Sequence, residues 1–432
     1  MQVSRTLQTV VTTSTAATAT TVATAAGPPP RRTLRALTNS NYRLYFFGQI
    51  VSQTGGWLQR IAQSWLVLDL TGSPAALGVL TVAQFLPIMV LSLFAGVVAD
   101  RLPKRQLLYA IGIISALQAV AMTFLVLSGR IELWQVYLLA FILGVVSAFE
   151  MPTRQAFLSE LVGRDELQSA ISLNSSVFNG ARIIGPGIGG VIIAAWGIGW
   201  CFGLNAISFL ASLVSLAMLD LRGMRGARRP LRGALWTQLA DGLRYAARTP
   251  TLSFPLLLLA VIGTFGYNFG VVFPLLARYA LDLDAIGFGS LNTAMGIGSL
   301  VGALGVAARL SPSRPALLIS GGAFSVLLLA VAFIPWYALT LIALAAMGVA
   351  SVTYSAVTNT TLQLNSDEHY RGRVLSLYTL LFAGSTPIGG AVTGWLADRW
   401  GIRDALALEA GLCVLAALLG WLWTSTRSAE ES

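Results

Sequence analysis

Histidine occurs once in this chain, at His369, lysine once, at Lys104, and cysteine twice, at Cys201 and Cys413. One histidine beside Asp367, Glu368 and Tyr370, with two distant cysteines, makes no zinc site. Two cysteines in or beside apolar stretches make no disulfide framework. Lys104 stands between Pro103 and Arg105, so the chain has no Gly-Lys-Ser/Thr phosphate loop. Intramembrane hydrolysis needs a Ser–His, His-Glu-x-x-His or paired-Asp arrangement, and none is present. The reading is therefore not an enzyme, with no cofactor and no metal. Charge is scarce as well. Only 11% of the residues are charged and 55% are hydrophobic, against about a quarter charged in soluble domains. Such a chain cannot cover a water-facing surface, so its main solvent is lipid.

The net charge of +10 does not mark a nucleic-acid binder, because the basic residues sit in alternate short loops rather than on one face. Apolar segments recur at 44–68, 75–99, 106–128, 133–151, 168–195, 199–219, 251–279, 286–308, 315–335, 337–361, 374–397 and 404–424. Each has about the length needed to span a bilayer. With both termini inside, twenty-two Arg and Lys residues fall on the cytoplasmic side and four outside, at Arg130, Arg278, Arg399 and Arg403. That bias sets the expected topology: a multi-pass protein of the inner (plasma) membrane with both termini cytoplasmic.

The expected organisation is a disordered tail over 1–41, a six-helix bundle over 42–219, an Arg-rich cytoplasmic linker over 220–250, a second bundle over 251–424 and a short tail over 425–432. The Thr/Ala-rich start competes with a signal peptide at Ala23-Thr24-Ala25, but it lacks a Leu-rich core. Within the linker, Leu235, Leu239 and Leu243 have the spacing of an amphipathic surface helix over 233–248.

The halves repeat. Gly96-Val97-Val98-Ala99-Asp100-Arg101-Leu102-Pro103-Lys104-Arg105 has a looser copy 209 residues later, at Gly305 to Arg314. Gly185-Pro186-Gly187-Ile188-Gly189-Gly190 matches Thr386-Pro387-Ile388-Gly389-Gly390. Duplicated transporters place their substrate site between the repeats.

These residues resemble the major facilitator superfamily. Gly96, Ala99, Asp100, Arg101, Lys104 and Arg105 are similar to its turn between spans two and three. Gly185, Pro186, Gly189 and Gly190 resemble the span-five motif of its exporters. The stretch Phe149 to Phe157 and Arg371-Gly372-Arg373-Val374 resemble the drug/proton antiporter branch that holds enterobactin exporters and macrolide efflux proteins. The resemblance implies an all-α membrane protein, twelve transmembrane helices in two pseudo-symmetric six-helix bundles. It implies a proton-coupled exporter of amphipathic small molecules (drug, siderophore or secondary metabolite), working as a monomer in the lipid bilayer. The alternatives are an uptake permease, which the Gly-Pro motif disfavours, and a scaffold for another transport component. Many relatives carry an arginine four residues before a span-four glycine. Here Ala140 stands four before Gly144, so that role does not transfer.

Charges inside a membrane need a partner or a water-filled cavity. Gln49, Gln53, Gly56, Arg60 and Gln63 make a polar stripe at helical spacing on the first span, expected to face a cavity with Arg60 as the main substrate contact. Asn268, Tyr354, Asn359 and Tyr378 are further cavity candidates on the second half. For proton coupling the candidates are Glu150, Arg154, Arg182 and Glu409. Glu150 and Arg154 also have the i, i+4 order of a structural pair, Arg182 fits gating equally well, and Glu409 is expected to snorkel toward water. Finally, the resemblance with pseudo-symmetry predicts a two-sided cytoplasmic gate. Asp100, on the turn with Gly96, Arg101 and Arg105, would meet Arg371 and Arg373, and Arg309 would meet Asp165 and Glu166, the charges swapped between the two contacts.

Overall fold

A computed structural model describes residues 34–220, 235–307 and 309–430, apart from the side chains of a few of these, Asp100 and His369 among them. The tail before residue 34, residues 221–234 of the Arg-rich linker, residue 308 and the last two residues lie outside the described set.

The described residues are helical throughout. In the first half α1 is Ser40–Thr71, α2 Pro74–Arg101, α3 Lys104–Leu127, α4 Leu133–Leu161, α5 Arg164–Trp196 and α6 Ile198–Ala217. The second half comprises α7 Leu235–Arg248, α8 Pro250–Gly266, α9 Phe269–Leu275, α10 Ala285–Val301, α11 Arg314–Phe333, α12 Tyr337–Asn365, α13 Glu368–Ala383, α14 Thr386–Trp400 and α15 Ile402–Glu430. α9 continues as a π turn, Leu276–Ala280, and α10 as another, Gly302–Ala307. Eleven of these segments are long and apolar enough to cross a membrane. The first expected span is not among them. α1 has 32 residues, about 48 Å at 1.5 Å per residue, but its glutamines and arginine lower its apolarity.

Three expected boundaries move. α1 begins at Ser40, inside the expected tail, because the Asn39 side chain accepts from the Asn41 and Tyr42 amides, which satisfies free N-terminal donors. α4 runs to Leu161 rather than 151, carried past Pro152 by Thr153, whose hydroxyl donates to the Phe149 carbonyl, and by the Glu150–Arg154 pair. α15 extends to Glu430, beyond the expected end at 424. Two spans are broken where unbroken helices were expected: Tyr267 and Asn268 separate α8 from α9, and Gly384 and Ser385 separate α13 from α14.

α3, α6 and α11 carry rows of exposed large apolar residues, among them Leu117, Phe124, Ile207, Val214 and Ile319. Exposed apolar faces of this extent are lipid-facing surfaces. The surface helix α7 docks on the start of α13. Tyr245 stacks on Tyr370 at 4.3 Å, its hydroxyl donates to Asp367, and Asp241 lies 3.8 Å from Arg373.

A buried amide network ties the first half together. Gln59 donates to Gln118 at 2.9 Å and accepts from Asn205 at 2.6 Å, and Gln118 donates to the Leu139 carbonyl. It links α1, α3, α4 and α6. Asn205→Leu leaves the Gln59 carbonyl oxygen without its donor, at a cost of about 1–3 kcal/mol. A lowered Tm in a thermal-shift assay on the purified protein is the expected result.

Candidate functional site

The start of α1 and the end of α15 lie at one end of the bundle, the terminal end, and the opposite one is the far end. The halves meet along two seams. Along the first, α2 packs on α14; along the second, α5 packs on α10. The duplicated glycine motifs build both. A Cβ placed on Gly78 would lie 2.9 Å from the Gly390 carbonyl oxygen, and one on Gly394 would lie 2.8 Å from that of Pro74. On the other seam a Cβ on Gly289 would lie 2.6 Å from the Pro186 carbonyl oxygen, and one on Gly190 would lie 3.1 Å from Ile286 Cα. Only glycine lets backbones approach this closely. Thr293 donates to the Ile183 carbonyl at 3.1 Å, and Arg182 reaches Ser299 at 3.1 Å, both across the second seam.

A polar clasp joins the halves at the far end. Arg278 lies 2.5 Å from Asp69 and sits over the Trp65 ring. Tyr279 donates to the Gly72 carbonyl at 2.6 Å. Ser73 donates to Asp398 at 2.9 Å. Asp69 and Arg278 are 209 residues apart, the offset of the duplicated turns. They hold equivalent places in the two repeats, and equivalent residues near a two-fold axis meet each other. Sequence reasoning placed Arg278 outside but gave it no partner.

Among the described residues, every hydrogen bond between the halves falls in the clasp or on the α5/α10 seam. Among the described residues the terminal end has none. Among the described side chains of the expected cytoplasmic gate, Arg309 is not paired with Asp165 or Glu166, and Arg371 and Arg373 bond within their own half. Arg105 donates to the Leu216 and Ala217 carbonyls and so caps α6. Lys104 pairs with Glu160 at 3.3 Å. Arg371 donates to Gln363 O and Arg309 to Gly305 O, while Arg373 faces Asp241. Asp165 and Arg101 are exposed and Glu166 half-buried, and the Asp100 side chain is outside the described set.

Between the seams lies the inner part of α1, which carries Arg60. Arg60 remains exposed there although it lies midway along α1. Its guanidinium stacks over Trp57 at 4.7 Å, and Trp57 meets Phe178 of α5 edge-on. The second half presents aromatic rings: Tyr267 stacks on Phe324 at 5.0 Å and touches Phe382 at 4.8 Å, and Tyr378 stacks on Phe382. The hydroxyls of Tyr267 and Tyr378 are held by Ser351 and Ser355. A cation on an indole face, opposite an aromatic wall, suits an amphipathic guest.

The polar stripe of α1 does not act as one surface. Gln53 is half-buried beside the exposed Arg60. Gln63 is buried and accepts from Gln84. Gln49 lines a separate cavity inside the first half with Tyr45, Glu150 and Arg154. Glu150 and Arg154 are paired there. Tyr354 is fully buried, and Asn359 is tied to Gln363 at 2.5 Å on its own helix. Asn268 is buried against Thr393. Glu409, expected to snorkel, is fully buried. It lies about two turns inside the start of α15 and points into the bundle, where Thr393 bonds it. Gly144 backs onto the Gln84 carbonyl, where a Cβ would come within 2.5 Å. This close α4/α2 contact explains a glycine there.

The fold, two repeated helical halves meeting along α2/α14 and α5/α10, is that of a multi-pass membrane transporter of the major facilitator class. Residues 32–431 match the family model described as transmembrane secretion effector, and the chain belongs to that family. It is 30% identical to the multidrug efflux pump Tap of Mycolicibacterium fortuitum, over 88% of this chain and 95% of that protein. It is 22% identical to macrolide efflux protein A of Streptococcus pyogenes, over 88% and 96%. Among solved structures it resembles a bacterial homologue of the human lysosomal transporter Spinster in its inward-facing, unoccupied conformation. That match has TM-score 0.68 and 14% identity, covering 92% of this chain and 97% of that one. A peptide-bound transporter of the POT family matches with TM-score 0.72 at 11% identity, over 90% and 96%. At these identities the structures share the fold.

Proposed function

We propose that the chain exports amphipathic small molecules across the plasma membrane by alternating access, as a monomer and in exchange for protons. The observation that carries this is a pair of repeated halves joined at the far end by matched glycine seams and a polar clasp, with no hydrogen bond between them at the terminal end among the described residues. The excess of arginine at the terminal end supports a cytoplasmic position for it; on this reading the far end is external and the state inward-facing. The relatives named as efflux proteins support the outward direction. Arg60 and Trp57 would take the polar and planar parts of the guest, and Tyr267, Tyr378 and Phe382 the apolar part. The dispersed gate charges fit a cytoplasmic latch that closes only in the outward-facing state.

Cells overproducing the chain are expected to retain less of the fluorescent cation ethidium than cells lacking it, whereas greater retention would indicate an uptake permease. Arg60→Gln, measured on the same assay with a polar-headed substrate, is expected to lower transport about three- to tenfold, the loss of about one hydrogen bond's net worth, with Tm unchanged.

A further inference from the structure

Glu409 is fully buried on α15. Its Oε1 lies 2.7 Å from the Thr393 hydroxyl, and its Oε2 has no partner among the described residues. Thr393 Oγ1 also lies 2.8 Å from the Gly389 carbonyl oxygen and 3.1 Å from Asn268 Nδ2. The same Nδ2 donates to the Thr264 carbonyl at 2.7 Å. That carbonyl can only accept, so the orientation of the amide is fixed, and its second hydrogen goes to Thr393.

The hydrogens can then be counted. Thr393 has one, and two oxygens are in reach of it. If Glu409 is ionised, it takes that hydrogen and keeps a bare second oxygen in a buried site, the costliest arrangement for a carboxyl group. If Glu409 carries a proton, it donates to Thr393 Oγ1, Thr393 turns its hydrogen to Gly389, and every hydrogen in the cluster is bonded.

Among the described residues no cation shares the site. The 315–333 stretch of α11, the 251–266 stretch of α8 and all of α9 carry no ionisable side chain. On α14, Asp398 and Arg399 sit at the far end, Asp398 on Ser73 and Arg399 over Trp395. Arg403 of α15 is spent on the carbonyls of Ala332, Ile334 and Ala280. The remaining titratable neighbours are the buried Cys413 thiol one turn along α15 and the Tyr267 hydroxyl, bonded to Ser351. Glu150, by contrast, already has Arg154.

The cluster also sits at a lever. Asn268 is the residue before α9 in the broken span. α9 packs against α1 and α2 of the first half, and the π turn that follows it carries Arg278 and Tyr279 of the clasp. A change in the hydrogen bonds at Asn268 therefore acts on the segment that closes the far end.

We infer that Glu409 is the proton carrier of this transporter, held protonated by Thr393 in the far-end-closed state, and that its proton is linked to the clasp through Asn268 and α9. External protons would load Glu409 and favour closure of the far end. Proton release to the cytoplasm would favour reopening.

The inference rests on the proton-driven exporter reading, and the test separates the two. Spin labels on Arg130→Cys and Trp336→Cys, at exposed far-end turns of the two halves, report the far-end distance in nanodiscs without substrate. The closed-to-open ratio is expected to rise as pH falls, by up to about tenfold per pH unit for one linked proton. Glu409→Gln, a neutral mimic that can still donate to Thr393, should stay closed-rich and pH-independent. Glu409→Asp should keep a pH response, and the infrared stretch of a protonated carboxyl group should be present in the wild type and absent from Glu409→Gln. A Glu409→Gln protein that titrates like the wild type, or a wild type whose distance ignores pH, overturns the inference. Wild-type protein that fails to move ethidium overturns the exporter reading alone. Undiminished proton-driven transport by Glu409→Gln overturns the inference alone.

Discussion

Leucine at Gly190 or at Gly78 is expected to stop the transporter by holding its far end open. Both glycines lie where the backbones of the two halves touch, and a side chain has nowhere to go: the nearest atoms are the Gly390 carbonyl for Gly78 and the Ala285–Ile286 backbone for Gly190. Overpacking such a contact costs about 1–3 kcal/mol, and 1.4 kcal/mol is tenfold in an equilibrium. The cost falls only on the closed state, so the inward-facing population should drop about 5- to 150-fold. Ethidium transport should fall with it, and the far-end label distance should lengthen. Gly411→Leu on α15 is the control, because a Cβ there meets nothing within 4 Å. Equal losses at Gly411 and Gly190 would assign the effect to general damage rather than to the seam.

Reversing Asp69 is expected to open the same end by a different force. Asp69 and Arg278 are each more than a third exposed, at 39% and 38%, so the native pair contributes only about 0–1 kcal/mol. Asp69→Arg does more than delete it. Two guanidinium groups would be held side by side, and like charges at about 4 Å repel by about 1 kcal/mol in water and about 4 kcal/mol at a protein surface. Transport should drop about tenfold at low salt and recover partly at high salt, where the repulsion is screened. Asp69→Arg with Arg278→Asp should restore it. A double variant no better than the single one would show that the contact does not hold the far end shut. The glycine seams set whether the halves can meet; the clasp biases how often they do.

The spans were legible because apolarity is a local property of a helix, and a bilayer demands it over about 20 residues. The same rule explains the exception. α1 sits among other helices and carries Gln59 in a buried network and Arg60 in the cavity, so its composition reads as less apolar. The breaks at Tyr267–Asn268 and Gly384–Ser385 left no signal in apolarity, since the residues on both sides remain hydrophobic. Glu409 was misread for a different reason. Counting residues from the end of a span says how deep a carboxyl group lies but not which way it points, and the acceptor-rich pocket at Thr393 exists only after α14 and α15 pack. The clasp was in principle readable: the acid at 69 and the base at 278 share the offset of the duplicated turns. What was missing was the rule that equivalent residues beside the repeat axis touch. The gate charges at Asp165, Glu166, Arg309, Arg371 and Arg373 were read for the end where, among the described residues, no hydrogen bond joins the halves.

The most direct test of the account is ethidium transport in inverted membrane vesicles, with a pH gradient imposed and ATP absent. Inverted vesicles expose the cytoplasmic end, so ethidium is expected to accumulate inside only while the lumen is acidic, and nigericin, which collapses the pH gradient, should release it at once. Accumulation that survives nigericin, or that appears only when ATP is supplied, would contradict a proton-driven exporter.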